Sequence, residues 1–161
     1  MPWAKVKPVY DPAVLKLCCR PYEDHPHGCP NYAKKPGCPP KAVPIFQTLD
    51  PARPIWAVWN VFDLAAHVER LRAKHPDWSL RQLRCCLYWQ RGARRDLALQ
   101  CLELLAETGE ALVIRACPEA QGVNVTETMK QLGITLEWPP QTVTYQVALM
   151  GSLYVPDDWE L

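Results

Sequence analysis

The chain has 161 residues, of which 48% are hydrophobic and 22% are charged, and its net charge is +1. A chain of this length buries a hydrophobic core without disulfides, and no apolar run reaches the roughly 20 residues that cross a bilayer. The N-terminal residues also lack the apolar stretch of a signal peptide. We therefore expect a cytoplasmic protein with no membrane partner, whose eight reduced cysteines serve metal binding or catalysis rather than disulfide formation.

Proline dominates the first third of the chain. Twelve of the 17 prolines fall within residues 1–54. Because proline fixes φ and removes an N–H donor, we expect extended loop with little helix or sheet there. The segment is nevertheless too rich in cysteine and apolar residues to be disordered. We interpret residues 1–54 as a Cys/Pro-rich metal-binding segment packed on the domain, and residues 55–161 as an α/β core.

Regular structure is predicted from residue 55 onwards. Apolar runs and alternation predict three strands, over residues 55–62, 112–116 and 142–149. Helical periodicity and capping signals predict three helices, from Leu64 to the turn at Pro76, from Ser79 to Gly109 and from Asn124 to Gly133. We interpret 112–116 as a central strand and 142–149, which alternates apolar and polar residues, as a half-buried one. The fold class is thus α/β: a small single domain with a central sheet of at least three strands and flanking helices, preceded by the Cys/Pro-rich metal-binding loop.

The irregular stretch 18–41 contains four cysteines, Cys18, Cys19, Cys29 and Cys38. Two of them, Cys29 and Cys38, precede proline directly, a pairing that is frequent at iron–sulfur ligands. The spacing differs from the close C-x₂-C of zinc knuckles. His25 and His27 offer two further ligands, which zinc accepts more readily than iron–sulfur clusters do. The stretch therefore predicts a metal site, and the metal can be zinc as well as an iron–sulfur cluster.

The other cysteines fall into two groups. Cys117 follows the 112–116 strand at its carboxyl end, where open α/β sheets place their sites, and it predicts a fourth ligand that ties the loop to the sheet. Two residues on, Glu119 is our candidate for acid–base work. Cys85, Cys86 and Cys101 lie within the predicted second helix, where core packing explains Cys101 and at least one of the pair.

Basic residues concentrate between His67 and Arg95, where eight Lys and Arg face only two acidic residues. On a continuous second helix, one stripe would contain Arg81, Arg84, Tyr88, Arg91 and Arg95. Arginines beside an aromatic ring suit phosphate contact and base stacking. The stripe predicts RNA or another anionic partner, although a merely solvated helix face has the same pattern.

Four stretches have distinctive sequences: GCPNY at 28–32, GCPP at 37–40, CPEAQGVNV at 117–125 and GITLEWPP at 133–140. Together they resemble an uncharacterised family of predicted metal-binding proteins with a C…GCPNYGK…CPP run and a CPEAxGVNV-like C-terminal segment. The resemblance implies a metal, of the iron–sulfur kind, but no reaction. In it Cys18 takes the place of the family's first cysteine, with Cys19 as its alternative. Ala33 stands where the family often has glycine, a departure with no obvious chemical cost.

Our first functional hypothesis is an iron–sulfur protein of the [4Fe–4S] type, held by Cys18 (or Cys19), Cys29, Cys38 and Cys117. Four thiolates would close the cluster for electron transfer with a redox partner. Three would leave one iron open for non-redox chemistry, such as sulfur removal or transfer on a nucleobase or RNA. The alternative is a zinc-stabilised module that binds nucleic acid or protein without catalysis, or an adaptor that uses the metal only to fasten the loop. The sequence contains no phosphate-cradling glycine loop and no nucleophile–His–Asp set, so we expect neither nucleotide hydrolysis nor hydrolase chemistry.

Overall fold

The structure, a computed structural model, describes residues 1–22 and 25–156. These residues form a four-stranded antiparallel sheet in the order β1-β2-β4-β3. The strands are β1 (Trp3–Val6), β2 (Ile55–Asp63), β3 (Val113–Arg115) and β4 (Val143–Gly151). Helices flank the sheet, so the predicted small α/β domain with a central sheet is confirmed.

The described residues also form four α-helices, α1 (Leu64–Lys74), α2 (Leu80–Leu83), α3 (Gln90–Thr108) and α4 (Val125–Lys130). The predicted capping box at Ser79 and Gln82 opens α2, and the Asn124 side chain accepts a hydrogen bond from the Glu127 N–H (3.1 Å) at the start of α4. Short 3-10 helices cover Pro12–Cys19, Ile45–Gln47, Cys86–Tyr88 and Pro118–Gln121. No helix in the described part of the chain is long and apolar enough to cross a membrane.

Both faces of the sheet are covered. Helix α3 packs on one face through Leu104, against a cluster that includes Met150. On the other face, Ile45 from the proline-rich third and Met129 of α4 pack in a second cluster. As a result all residues of β4 from 147 to 151 are buried. The prediction of a half-buried strand is therefore wrong for this part of β4, because its polar alternation stops at Gln146.

The proline-rich third supplies one strand of the sheet. Strand β1 pairs with β2 along its full length, and the Trp59 N–H donates a hydrogen bond to the Pro2 carbonyl (2.9 Å). Ile45 and Leu49 from the same third are fully buried in the core. The expectation of little regular structure before residue 55 thus missed a strand and two core residues, although the stretch between them is irregular.

The predicted second helix is broken. Helix α2 ends at Leu83, the short 3-10 helix Cys86–Tyr88 follows, and α3 begins at Gln90. Gly92 lies after the break, within α3. Trp89 explains the position of the break, since its ring stacks on Phe62 (4.7 Å between centroids) and its Nε1–H donates to the Arg84 carbonyl (3.3 Å).

Strand β3 lies at the edge of the sheet and not at its centre. It pairs only with β4, over three residues, and its partner is antiparallel. The rule for the carboxyl ends of parallel strands therefore does not apply to Cys117. The position of Cys117 matters for another reason, because the chain leaves the sheet at this point.

Candidate functional site

Two 3-10 helices bring distant parts of the chain together at the edge of the sheet. The helix Pro12–Cys19 is capped by Asp11, whose side chain accepts a hydrogen bond from the Ala13 N–H (2.9 Å). The Asp11 N–H in turn donates to the Gly122 carbonyl (2.8 Å), which fastens this helix against the helix Pro118–Gln121. Cys18 lies in the last turn of the first helix, and Cys117 directly precedes the second. The fold thus places these two cysteines in one region.

The Cys-rich loop folds back on the helix that carries Cys18. The Cys29 N–H donates a hydrogen bond to the Cys18 carbonyl (2.8 Å). Gly28 allows this approach because its φ is +78° and a Cβ there would lie 2.6 Å from the Cys18 carbonyl oxygen. The close backbone contact therefore requires glycine at position 28.

Electrostatic interactions connect the four thiols that were predicted as ligands. Burial raises the pKa of Cys18, and the nearby thiols of Cys29, Cys19 and Cys38 raise it further. Burial also raises the pKa of Cys117, with a further contribution from Cys38. Cys38 thus interacts both with Cys18 and with Cys117, the thiol at the sheet edge.

Charged side chains of both signs surround Cys117. Glu119 raises the pKa of the Cys117 thiol, whereas Arg94 and Lys35 lower it. Arg94 comes from α3 and Lys35 from the Cys-rich loop, so three separate segments meet at this thiol. The two cations favour the thiolate form, which is the form that binds metals.

Two more thiols lie at the margin of this group. The Cys19 side chain is hydrogen-bonded to Tyr32, which raises the pKa of the tyrosine, and the Cys19 thiol also raises the pKa of Cys18. The pKa of Tyr22 is raised by burial and then by Cys29, Cys86 and Cys18. Cys86 therefore lies near the loop, which sequence reasoning missed because a continuous helix would have carried it elsewhere.

The thiols of the Cys-rich loop and the sheet edge interact without converging on one point in the described part of the chain. All eight cysteines are free thiols. Within residues 1–22 and 25–156, no three His, Cys, Asp or Glu side chains converge closely enough to hold one metal ion. A zinc site needs four ligands at about 2.0–2.3 Å from one point, whereas a cluster attaches its thiolates to different irons and so keeps the sulfurs farther apart. Thiols that interact without converging are compatible with the second arrangement.

Neither histidine of the loop joins the thiols in such a set. The His25 ring stacks on Tyr22, with 4.4 Å between the ring centroids. Its backbone also exchanges hydrogen bonds with Tyr22, at 2.9 and 3.2 Å. His27 is exposed in the turn that follows. His25 therefore shapes the turn that precedes Gly28.

A cleft of about 440 Å³ opens beside Cys117, between α3 and the edge of β4. Leu97, Ala98 and Ile114 give it apolar walls, and Gln90 and Arg94 contribute polar groups from the first turns of α3. Its volume lies in the range of small-molecule sites. No pattern in the sequence predicts this cleft, because it depends on where β3 ends.

Glu119 lies on the wall of the cleft. Glu119 is exposed to solvent and its side chain lines the cleft. Partial desolvation by the surrounding protein atoms raises the pKa of its carboxyl group, and a hydrogen bond to its own backbone opposes the effect in part. The predicted acid–base residue is therefore adjacent to a space that a small molecule can enter.

The predicted basic stripe consists of Arg81, Arg84, Tyr88, Arg91 and Arg95. The prediction that they lie on one continuous helix is wrong, because the break after α2 separates the first two arginines from the last two. Arg84 is half-buried and hydrogen-bonded to Gln141, and Tyr88 stacks on Trp78 with 5.3 Å between centroids. Arg91 and Arg95 are exposed on α3. A role of these residues in binding RNA or another anion stays a prediction.

Comparison with family models, with curated proteins and with solved structures finds no match for this chain. The resemblance to a family of metal-binding proteins therefore stays a prediction, and the site rests on its own geometry.

Proposed function

We propose that this protein binds an iron–sulfur cluster of the [4Fe–4S] type through Cys18, Cys29, Cys38 and Cys117. The observation that carries the proposal is that the Cys38 thiol lies near enough to Cys18 and to Cys117 to raise the pKa of both. These thiols are free and come from three separate segments of the chain. A bound cluster would hold together a loop with little core of its own.

The residues around Cys117 indicate what the bound group would serve. When bound, the cluster supplies an electron or, if one iron lacks a protein ligand, a Lewis acid. Cys117 lines the cleft, so a small molecule bound there would lie beside this one of the four proposed ligands. Arg94 would balance negative charge there, and Glu119 would move a proton to or from the molecule in the cleft. With Cys117 as the fourth ligand, the closed cluster would serve electron transfer. Without it, an open iron beside the cleft would serve non-redox chemistry on a bound substrate, including removal or transfer of sulfur.

Anaerobic purification followed by iron, sulfide and zinc analysis tests the proposal. We expect a brown protein whose iron and sulfide contents are equal. Cys29→Ala and Cys38→Ala should lose both elements, whereas Cys85→Ala, which removes a half-buried thiol at the end of α2, should retain them. Zinc without iron, or unchanged iron in Cys29→Ala and Cys38→Ala, would contradict the proposal.

Cys117→Ala distinguishes the two uses of the cluster. If Cys117 is a ligand, the variant should lose part of its iron or change its EPR spectrum. If the spectrum and the iron content stay unchanged, only three protein thiolates hold the cluster and one iron is open to the cleft.

A further inference from the structure

The pairing of the sheet determines which main-chain groups of β4 face the cleft. The Trp59 N–H donates to the Pro2 carbonyl beside β1. The main-chain N–H and carbonyl groups of the odd-numbered residues of β2 therefore point towards β1, and those of the even-numbered residues point towards β4. The register pairs even-numbered residues of β2 with even-numbered residues of β4, so the main-chain groups of the latter point towards β2. The Ala65 N–H donates to the Thr142 carbonyl (3.0 Å), in agreement with this alternation. The main-chain N–H and carbonyl groups of the odd-numbered residues of β4 therefore point towards β3 and the cleft.

Strand β3 is too short to cover all of them. It pairs Val113 with Gly151 and Arg115 with Leu149. The same register would place position 117 opposite Val147 and position 119 opposite Tyr145. Pro118 begins a 3-10 helix and diverts the chain, so in the described part of the chain no strand occupies this edge. The N–H and carbonyl groups of Tyr145 and Val147 consequently point into the cleft.

The open stretch is short and closed at both ends. At one end the last pair of β3 covers Leu149, and at the other the Val143 N–H lies 3.4 Å from the Glu137 carboxylate. Two residues of strand span about 7 Å, which accommodates a ring but not an added β-strand. Leu97, Ala98 and Ile114 would contact the faces of such a ring.

We infer that the cleft is a binding site for a nucleobase-type heterocycle, held by the carbonyl of Tyr145 and the N–H of Val147. These two groups are neighbours along the edge and point in the same direction, one as an acceptor and one as a donor. Nucleobases carry a donor and an acceptor side by side on one edge, and proteins that bind single bases combine such hydrogen bonds with apolar contacts to the ring. Gln90 and Arg94 extend the polar contacts towards a sugar or phosphate.

The inference goes beyond the proposed function, because the groups that hold the heterocycle belong to α3, β3 and β4 and include no proposed metal ligand. Binding is therefore expected in protein that has lost its metal. Measured on the Cys29→Ala/Cys38→Ala double variant as well as the original chain, it separates failure of this inference from failure of the cluster proposal.

Amide chemical shifts in ¹H–¹⁵N NMR spectra test the inference directly. Uridine, cytidine, adenosine and guanosine are titrated separately, together with uridine 5′-monophosphate to detect a phosphate contact. At least one nucleoside should shift the amide of Val147 downfield in a saturable manner. Shifts confined to other parts of the protein, or none with any of the five probes, would overturn the inference.

Two controls test the mode of binding. For the nucleoside that binds best, the analogue methylated on its ring N–H should bind at least about fivefold more weakly, because the Tyr145 carbonyl loses its donor. Ala98→Phe should abolish binding by filling the cleft, whereas Ala106→Phe, the same change at an exposed position of α3, should leave it intact. Equal binding by the methylated analogue, or by Ala98→Phe, would refute the assigned geometry.

Discussion

Replacement of Gly28 by alanine tests whether the Cys-rich loop is held against the helix that carries Cys18. Gly28 has a φ of +78°, a conformation that costs an L-residue about 1–2 kcal/mol. The new Cβ would lie 2.6 Å from the Cys18 carbonyl oxygen and 3.0 Å from the Cys19 carbonyl carbon. Both are backbone atoms, so the loop must move away, which breaks the hydrogen bond from the Cys29 N–H and costs about 0.5–1.5 kcal/mol more. The free energy of unfolding should fall by about 2–3 kcal/mol.

Urea unfolding measures this loss, and hydrogen exchange of the Cys29 amide reports on the loop itself. Gly37→Ala is the matched control, since it lies in the same loop and a Cβ there meets nothing within 4 Å. It should change the free energy of unfolding by less than about 0.5 kcal/mol. Equal effects of the two substitutions, with the Cys29 amide equally protected in both, would refute the close contact.

Three further substitutions test other parts of the structure. Ala33 has a φ of 59°, so Ala33→Gly should relieve about 1–2 kcal/mol of backbone strain and cost about 0.4–1 kcal/mol in chain entropy. The free energy of unfolding in urea should therefore rise by about 0.5 kcal/mol. A lower free energy of unfolding would contradict this. Leu104→Ala empties a fully buried site on α3 and should cost about 2–5 kcal/mol. Its control, Leu102→Ala, removes a side chain that is 57% exposed on the same helix, and equal losses would refute the packing. Glu137 accepts hydrogen bonds from the N–H groups of Thr142 and Gln141, which lower its pKa. Its contribution is therefore complete above the ordinary glutamate pKa and is lost as the pH falls through the lowered one. Glu137→Gln should be less stable at neutral pH and should lose less stability on acidification, as thermal unfolding across the acid range would measure; parallel pH profiles of the two proteins would exclude this role.

Local patterns predicted the elements whose signals lie within their own residues. Strand β2 is an apolar run that only Asn60 interrupts before Asp63, and the caps at Ser79 and Asn124 mark the starts of α2 and α4. Strand β1 has four residues in a proline-rich segment and is recognisable only from its partner β2. The break after α2 has no glycine or proline to mark it, and instead follows from the packing of Trp89 on Phe62.

The candidate site shows the same division. The Cys-Pro pairs at Cys29, Cys38 and Cys117 singled out three of the five thiols that interact in the structure. Whether they bind a metal stays a prediction. The position of Cys86 near Tyr22 depends on the helix break, and the cleft depends on the length of β3. Both are consequences of tertiary packing, which periodicity and spacing do not contain.

The positive φ of Ala33 is a further correction. We expected no cost where alanine replaces the glycine frequent in the resembled family. The Ala33 N–H donates to the Pro39 carbonyl (2.8 Å), a contact that holds position 33 in the left-handed region. The cost is conformational, so it has no signature in side-chain chemistry.

The most direct test of the central claim is the iron and inorganic sulfide content of the anaerobically purified chain, with Cys38→Ala measured beside it. Cys38 is the thiol that connects the loop to the sheet edge, so its loss should affect the whole group. The account predicts about four iron and four sulfide per chain, and the loss of most of both in Cys38→Ala. Bound zinc with no iron, or a chain that binds no metal under these conditions, would contradict it.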